Sequence, residues 1–197
     1  MRFLSATRLV IGFENETDAR RFWEAMRERL QKFSLSLHPD KTRLIEFGRF
    51  AAANRKRRGL GKPETFSFLG FTLICGKSRR GGFLLKRRSR RDRMKAKLKE
   101  VAGELRQRMH QSIPEQGRWL KQVVTGYFAY HAVPTNSAAL VAFRDQIVER
   151  WRWVLHRRSQ KSALTWARMK KLADDWLPQP RILHPWPNQR FAVKYPR

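Results

Sequence analysis

Two hydrophobic rhythms divide this chain, short β-type runs in its first half and steps of three and four in its second. Arg8 to Phe13 (RLVIGF) is β-branched and apolar, ends at Gly12-Phe13 and a polar ENET turn, and predicts a strand. From Thr17 onward Ala19, Phe22, Trp23, Met26, Leu30 and Phe33 recur on one helical face with Arg and Glu on the other, which predicts an amphipathic helix packing into a core. Leu35 to His38 and Leu44 to Phe47 predict two strands flanking the turn His38-Pro39-Asp40-Lys41-Thr42. A basic loop, Asn54 to Pro63, then leads to a strand pair at Phe66 to Cys75 and Phe83 to Lys86.

From about Arg87 the period becomes helical. Met94, Leu98, Val101, Leu105 and Met109 form one stripe, Leu120, Val123, Val124 and Tyr127 a second, and Leu140, Phe143, Ile147, Trp151 and Val154 a third. Pro114, Pro134 and Pro178 fall between or after these stripes, where a missing N–H does least harm. The second half therefore predicts a small helix bundle. Pro178 to Arg197 carries five prolines with Trp186, Phe191 and Tyr195, which predicts an extended tail packing through its aromatic rings. No repeat at a solenoid period is present.

Charge changes the picture most. Of 197 residues, 44 are Lys or Arg and 16 Asp or Glu, a formal charge of +28 that suits a polyanion partner. The cations are interleaved with aromatic residues, seven Trp among them, so a folded basic surface is expected rather than a disordered tail. The lone Cys75 excludes an internal disulfide and a cysteine zinc cluster. No apolar run approaches the roughly 20 residues of a membrane span, and Met1 to Phe13 lacks the pattern of a secretory signal. The expected location is cytoplasmic, in a reducing compartment or associated with the nucleoid, with no membrane partner.

Candidate chemistry is sparse. Gly76-Lys77-Ser78 lacks the earlier glycine of a phosphate-binding loop, since position 71 is Phe, and reads as a turn between strands. The histidines at 38, 110, 131, 156 and 184 have no zinc-site spacing, and no Gly-x-Ser-x-Gly elbow is present. Asp174-Asp175 is the only adjacent Asp pair and reads as surface acid near a helix end. No catalytic residue and no metal ligand is assigned.

Binding residues are more numerous. Arg55, Lys56, Arg57, Arg58 and Lys62 form one cluster, Arg79 and Arg80 a second, Lys86, Arg87, Arg88, Arg90 and Arg91 a third, and Arg157, Arg158 and Lys161 a fourth. Guanidinium groups contact phosphate oxygens through paired donors, and each neutralised phosphate releases counterion, so such a surface binds nucleic acid with salt-dependent affinity. Trp166 and Trp186 are candidate stacking groups, although Trp at helical spacing ordinarily packs inside.

In their order these segments resemble the C-terminal part of the group II intron reverse transcriptase and maturase family, over nearly the whole chain. Val10-Ile11-Gly12-Phe13 resembles the strand after the family's Tyr-Ala-Asp-Asp turn, Leu37-His38-Pro39-Asp40-Lys41-Thr42 the next polymerase block, and Phe68-Leu69-Gly70-Phe71 the segment that grips the primer end. Gly117-Arg118-Trp119-Leu120, Gly126-Tyr127, Val133-Pro134-Thr135-Asn136, Trp151 with Arg157-Arg158-Ser159, Trp166, and Trp176-Leu177-Pro178 resemble the maturase-specific domain, and His184-Pro185 with Arg190-Phe191 its closing segment. The resemblance implies an α+β fold: a truncated polymerase palm remnant of short antiparallel strands and one helix in residues 1–86, an all-α thumb or maturase bundle in 87–178, and the extended tail in 179–197.

Departures from the family pattern decide what activity is expected. The catalytic turn would occupy Ser5, Ala6, Thr7 and Arg8, which include neither aspartate, and the fingers, the earlier palm strands and the cysteine-containing endonuclease domain have no counterpart. Family polymerases use Mg2+; without those carboxylates no cofactor is expected, and Lys41, where the family places a lysine near the nucleotide, cannot assemble the site alone. The expectation is an RNA-binding, maturase-like protein that assists splicing of group II intron RNA and is no enzyme on its own. Lys41 and Arg190 join the expected nucleic-acid contacts, with target DNA as a further ligand. Two alternatives stand beside it: one piece of a split RNA-directed DNA polymerase, acting in retrohoming with a separate N-terminal half, or a decayed fragment without function.

Overall fold

The computed structural model describes residues 9–158 and 164–189. The fold is mixed α+β, a three-stranded antiparallel sheet flanked in sequence by helices. In chain order the elements are α1 (Glu16–Gln31), α2 (Ala51–Arg57), β1 (Phe66–Phe68), β2 (Phe71–Lys77), β3 (Phe83–Ser89), α3 (Arg91–Gln107), α4 (Ile113–His131), α5 (Ser137–His156) and α6 (Trp166–Trp176).

The bundle α3 to α6 holds the main core, and the three predicted stripes are its walls. Leu98, Val101 and Leu105 of α3 meet Leu120, Val124 and Phe128 of α4 and Leu140, Phe143, Ile147, Trp151 and Val154 of α5, with Met169 and Ala173 closing the fourth side. Ser112 caps α4 reciprocally, its hydroxyl accepting from the Glu115 N–H while the Glu115 carboxylate accepts from the Ser112 N–H at 2.8 Å. Pro114 sits in the first turn of α4, where its missing N–H has no helical partner to lose.

The first half departs from its predicted strands. Residues 9–13, Leu35 to His38 and Leu44 to Phe47 join no ladder, because no neighbouring strand takes up their backbone groups, and Arg8 lies outside the described residues. The predicted loop from Asn54 begins as the last turn of α2. Phe66 to Cys75 is two strands rather than one, folded at Leu69-Gly70 with φ of 45° and 77°, the positive pair of a two-residue hairpin turn. The stripe of α1 is only partly covered: Ala19 is buried and Phe13 packs on Phe22 at 5.3 Å, but Phe33 is 65% exposed. A period of 3.6 says which face is apolar and not what will cover it.

Sheet and bundle are joined at the α4–α5 turn. Along the open edge of β3 the Arg87 N–H donates to Thr135 Oγ1 at 2.8 Å and the Ser89 N–H to Asn136 Oδ1 at 2.9 Å. The buried Asn136 amide also donates to Ser89 Oγ and to the His131 carbonyl, each at 2.8 Å. Two side chains thus occupy the edge that another strand would take. Thr135 holds φ at +76°, a strained value for a β-branched residue, kept by this double engagement. At the same end of the sheet, Tyr130 Oη donates to the Leu69 carbonyl at 2.7 Å, supporting the hairpin turn.

The described part of the tail is anchored by hydrogen bonds to the end of α4. The N–H groups of Leu183 and His184 donate to the Ala132 carbonyl at 2.9 and 3.1 Å, and His184 Nε2 lies 2.7 Å from the Ala129 carbonyl. These carbonyls at the end of α4 have no N–H donor left within the helix, so they are free to accept from the tail. Trp186 is 43% exposed, and residues 187–189 turn helical with Pro187 in the first turn. Residues 190–197, with Phe191 and Tyr195, lie outside the described residues, as do Ser5 to Arg8.

Candidate nucleic-acid interface

The predicted cations differ in whether the fold gives them partners, and Arg57 and Arg58 are both exposed and bonded. Arg55 donates Nε to the Gly61 carbonyl at 3.1 Å and lies 3.9 Å from Glu64. Arg57 reaches Asn54 at 2.5 Å, and Arg58 pairs with Glu46. Lys56 and Lys62 of the same cluster are exposed, as is Lys41 in its turn.

Arg79 and Arg80 sit at the tip of the β2–β3 hairpin. The Ser78 N–H donates to the Gly82 carbonyl at 2.8 Å and the Gly81 N–H to the Ser78 carbonyl at 3.0 Å, so the two arginines occupy the central positions of a turn that Gly81 closes at φ +80°. Both are exposed.

Alternation along β3 separates its three cations. Lys86 and Arg88 share one face with Ile74 and Thr72 of β2, whereas Arg87 falls on the other with Phe71, Leu73 and Ser89. Lys86 lies across Gly76, where an added Cβ would come within 2.7 Å of it. Burial lowers the Arg87 pKa and leaves its Nε without a partner. Arg88 is exposed.

At the start of α3, Arg90 pairs with Asp92 at 2.5 Å, a bond that holds the Asp92 carboxyl below its ordinary range, while Arg91 is exposed. Arg157 lies over the Trp153 ring at 4.7 Å. Arg158 donates Nε to the Met109 carbonyl at 2.5 Å and so fastens the end of α5 to the end of α3. Lys161 and Arg190 lie outside the described residues.

The cluster approach missed the outward cations of α3. Arg93, Lys95, Lys99 and Arg106 are exposed, and Lys95, Lys99 and Arg106 run along one flank of the helix beside the stripe of Leu98, Val101 and Leu105. That spacing was visible, but each cation stands alone between other residues. Arg93 and Lys97 also line a shallow cleft of about 460 Å³ against Tyr127, Tyr130 and His131 of α4.

The remaining candidates serve structure. Asp174 accepts from Arg144 at 2.8 Å and Gln179 at 2.9 Å, which lower its pKa and tie α6 to α5 and the tail. Gly76-Lys77-Ser78 ends β2 and enters the hairpin turn. Among the described residues no group of three His, Cys, Asp or Glu side chains is placed to hold a metal ion, and no helix is long and apolar enough to cross a membrane. Comparison of the chain with protein-family models and with curated proteins finds no match to either.

Proposed function

We propose that this chain is an RNA-binding protein of the maturase type, which holds structured group II intron RNA and helps it reach its splicing-active fold without a polymerase centre of its own. In this reading residues 1–86 correspond to a palm remnant and 87–178 to the thumb or maturase bundle. The observation that carries it is the charge of +28 borne on a folded scaffold. Exposed cations stand at the hairpin tip, on the open sheet face and along α3. Double-helical RNA is recognised by shape, phosphates and 2′-hydroxyls, which suits dispersed cations better than a single pocket.

The test compares binding of the purified protein to a group II intron RNA and to an equally long unrelated structured RNA across a salt series. Tighter intron binding that survives near-physiological salt supports the maturase reading. Equal affinities that collapse together reject it and leave a basic fragment without specificity.

One observation favours a second reading, a piece of a split RNA-directed DNA polymerase. Leu9, Phe33 and Phe50 are each at least 65% exposed and lie in the half that resembles the palm. An apolar surface of that kind suits a covering polypeptide. Primer extension that appears only when a fingers-bearing polypeptide is added would favour this reading over the first.

A further inference from the structure

Glu149, Arg152, Trp153 and His156 share one face of α5, opposite the buried face of Phe143, Ile147, Trp151 and Val154. With Trp166, the first residue of α6, they line an open cleft of about 460 Å³. Its two indoles are unusually bare for a packed bundle, Trp153 at 44% and Trp166 at 55% exposed. Guanidinium groups lie over both: Arg152 at 4.3 Å from the Trp166 ring centre, Arg157 at 4.7 Å and Arg106 at 5.3 Å from that of Trp153.

One polar group in this cleft, the exposed Glu149 carboxylate, has unmet capacity. Opposite charges three residues apart on a helix ordinarily meet, yet Glu149 and Arg152 form no ion pair among the described residues. Among the described residues Glu149 accepts only from Gln146 Nε2, at 3.1 Å. His156 is already engaged with the Leu164 carbonyl at 3.1 Å.

We propose that this cleft receives one unpaired guanine of an RNA ligand. The base lies against the indole and guanidinium planes, its N1–H and N2 amino group donate to the Glu149 carboxylate, and O6 faces the Arg152 guanidinium. Guanine alone among the four bases offers two adjacent donors to a carboxylate with an acceptor beside them. Adenine and cytosine place a ring acceptor where the second carboxylate oxygen would sit, and uracil offers one donor between two acceptors. Stacking on aromatic and guanidinium planes with hydrogen bonds to the base edge is how proteins read unpaired RNA. The inference rests on the RNA-binding reading above and adds a base-specific contact to it.

The full chain is titrated with labelled octanucleotides: eight adenosines, the same with one central guanosine, and the same with inosine, which lacks the N2 amino group. Guanosine is expected to bind about tenfold tighter than all-adenosine, with inosine between them. Glu149→Gln is expected to bring the three together, and Trp166→Ala to weaken the guanosine oligonucleotide most. Free guanosine monophosphate is expected to compete for the guanosine-dependent part alone. Equal affinity for the three oligonucleotides, or a Glu149→Gln protein that still prefers guanosine, overturns the guanine site while leaving general RNA binding intact. No binding of any oligonucleotide or structured RNA at low salt removes both.

Discussion

Trp151 donates its indole N–H to Gln116 Oε1 at 2.8 Å inside the bundle, where both side chains are fully buried. The Gln116 amide in turn donates to the Arg108 carbonyl at 2.6 Å, just past the end of α3. One glutamine of α4 thus satisfies a buried donor on α5 and a carbonyl left over by α3, joining three helices through polar atoms in an apolar core.

Replacing Gln116 by Leu keeps the volume near and removes every partner. Because the Trp151 N–H and the Arg108 carbonyl are then buried unpaired, a loss of about 2–4 kcal/mol in urea denaturation is expected. Trp151→Phe, which removes the donor as well as part of the ring, is expected to cost less in the Gln116→Leu background than in the wild type.

Gly117 is held by contact rather than by its backbone angles. An added Cβ would enter the Trp176 ring, which lies flat against α4 at this point. Gly117→Ala, ordinarily favourable within a helix, is therefore expected to destabilise by about 1–3 kcal/mol, and Gly117→Ala with Trp176→Leu to recover part of that. An unchanged melting temperature in Gly117→Ala would show that α6 does not depend on this approach.

His131 gives the sheet–bundle seam a pH dependence. The Asn136 amide donates to Ser89 Oγ, which leaves the Ser89 hydroxyl to donate to His131 Nδ1 at 2.9 Å, a chain suited to a neutral ring. Burial lowers the His131 pKa from its ordinary 6.5. The unfolded chain therefore takes up a proton first, so stability present above about pH 6.5 falls as pH drops toward the folded value. Denaturation midpoints are expected to decline from about pH 7 to about pH 5 in the wild type and less steeply in His131→Gln. The carboxyls of Asp92, Glu115 and Asp174, depressed by bonds from Arg90, Ser112 and Arg144, act in a separate window below about pH 4.

The two kinds of arginine differ in what they control. Arg79→Ala with Arg80→Ala is expected to leave stability within about 0.5 kcal/mol and to reduce the salt slope of RNA binding by about 2. Arg158→Ala is expected to lower the melting temperature, since it releases the Met109 carbonyl, with little change in the salt slope. The reverse pattern would exchange their assignments.

The α+β character, the three bundle stripes and the basic surface were legible because each follows from periodicity or composition within a short window. Leu35 to His38 and Leu44 to Phe47 were not, since an apolar run becomes a strand only when another backbone supplies its hydrogen bonds. The Leu69-Gly70 turn was hidden for a related reason: Leu rarely adopts positive φ, and it does so here with Tyr130, distant in sequence, bonded to its carbonyl.

Charge and helical period are properties of neighbouring residues, so the sequence by itself determined that the chain carries a bundle and a strongly basic surface. Which arginines face outward was decided by tertiary structure, because Arg55 and Arg158 differ from Arg79 and Arg80 in the acceptors folding brings to them. The same holds for the cleft beside Trp153. Its α5 face is written in spacings of three and four, but the wall at Trp166 exists only once α6 packs back against the bundle.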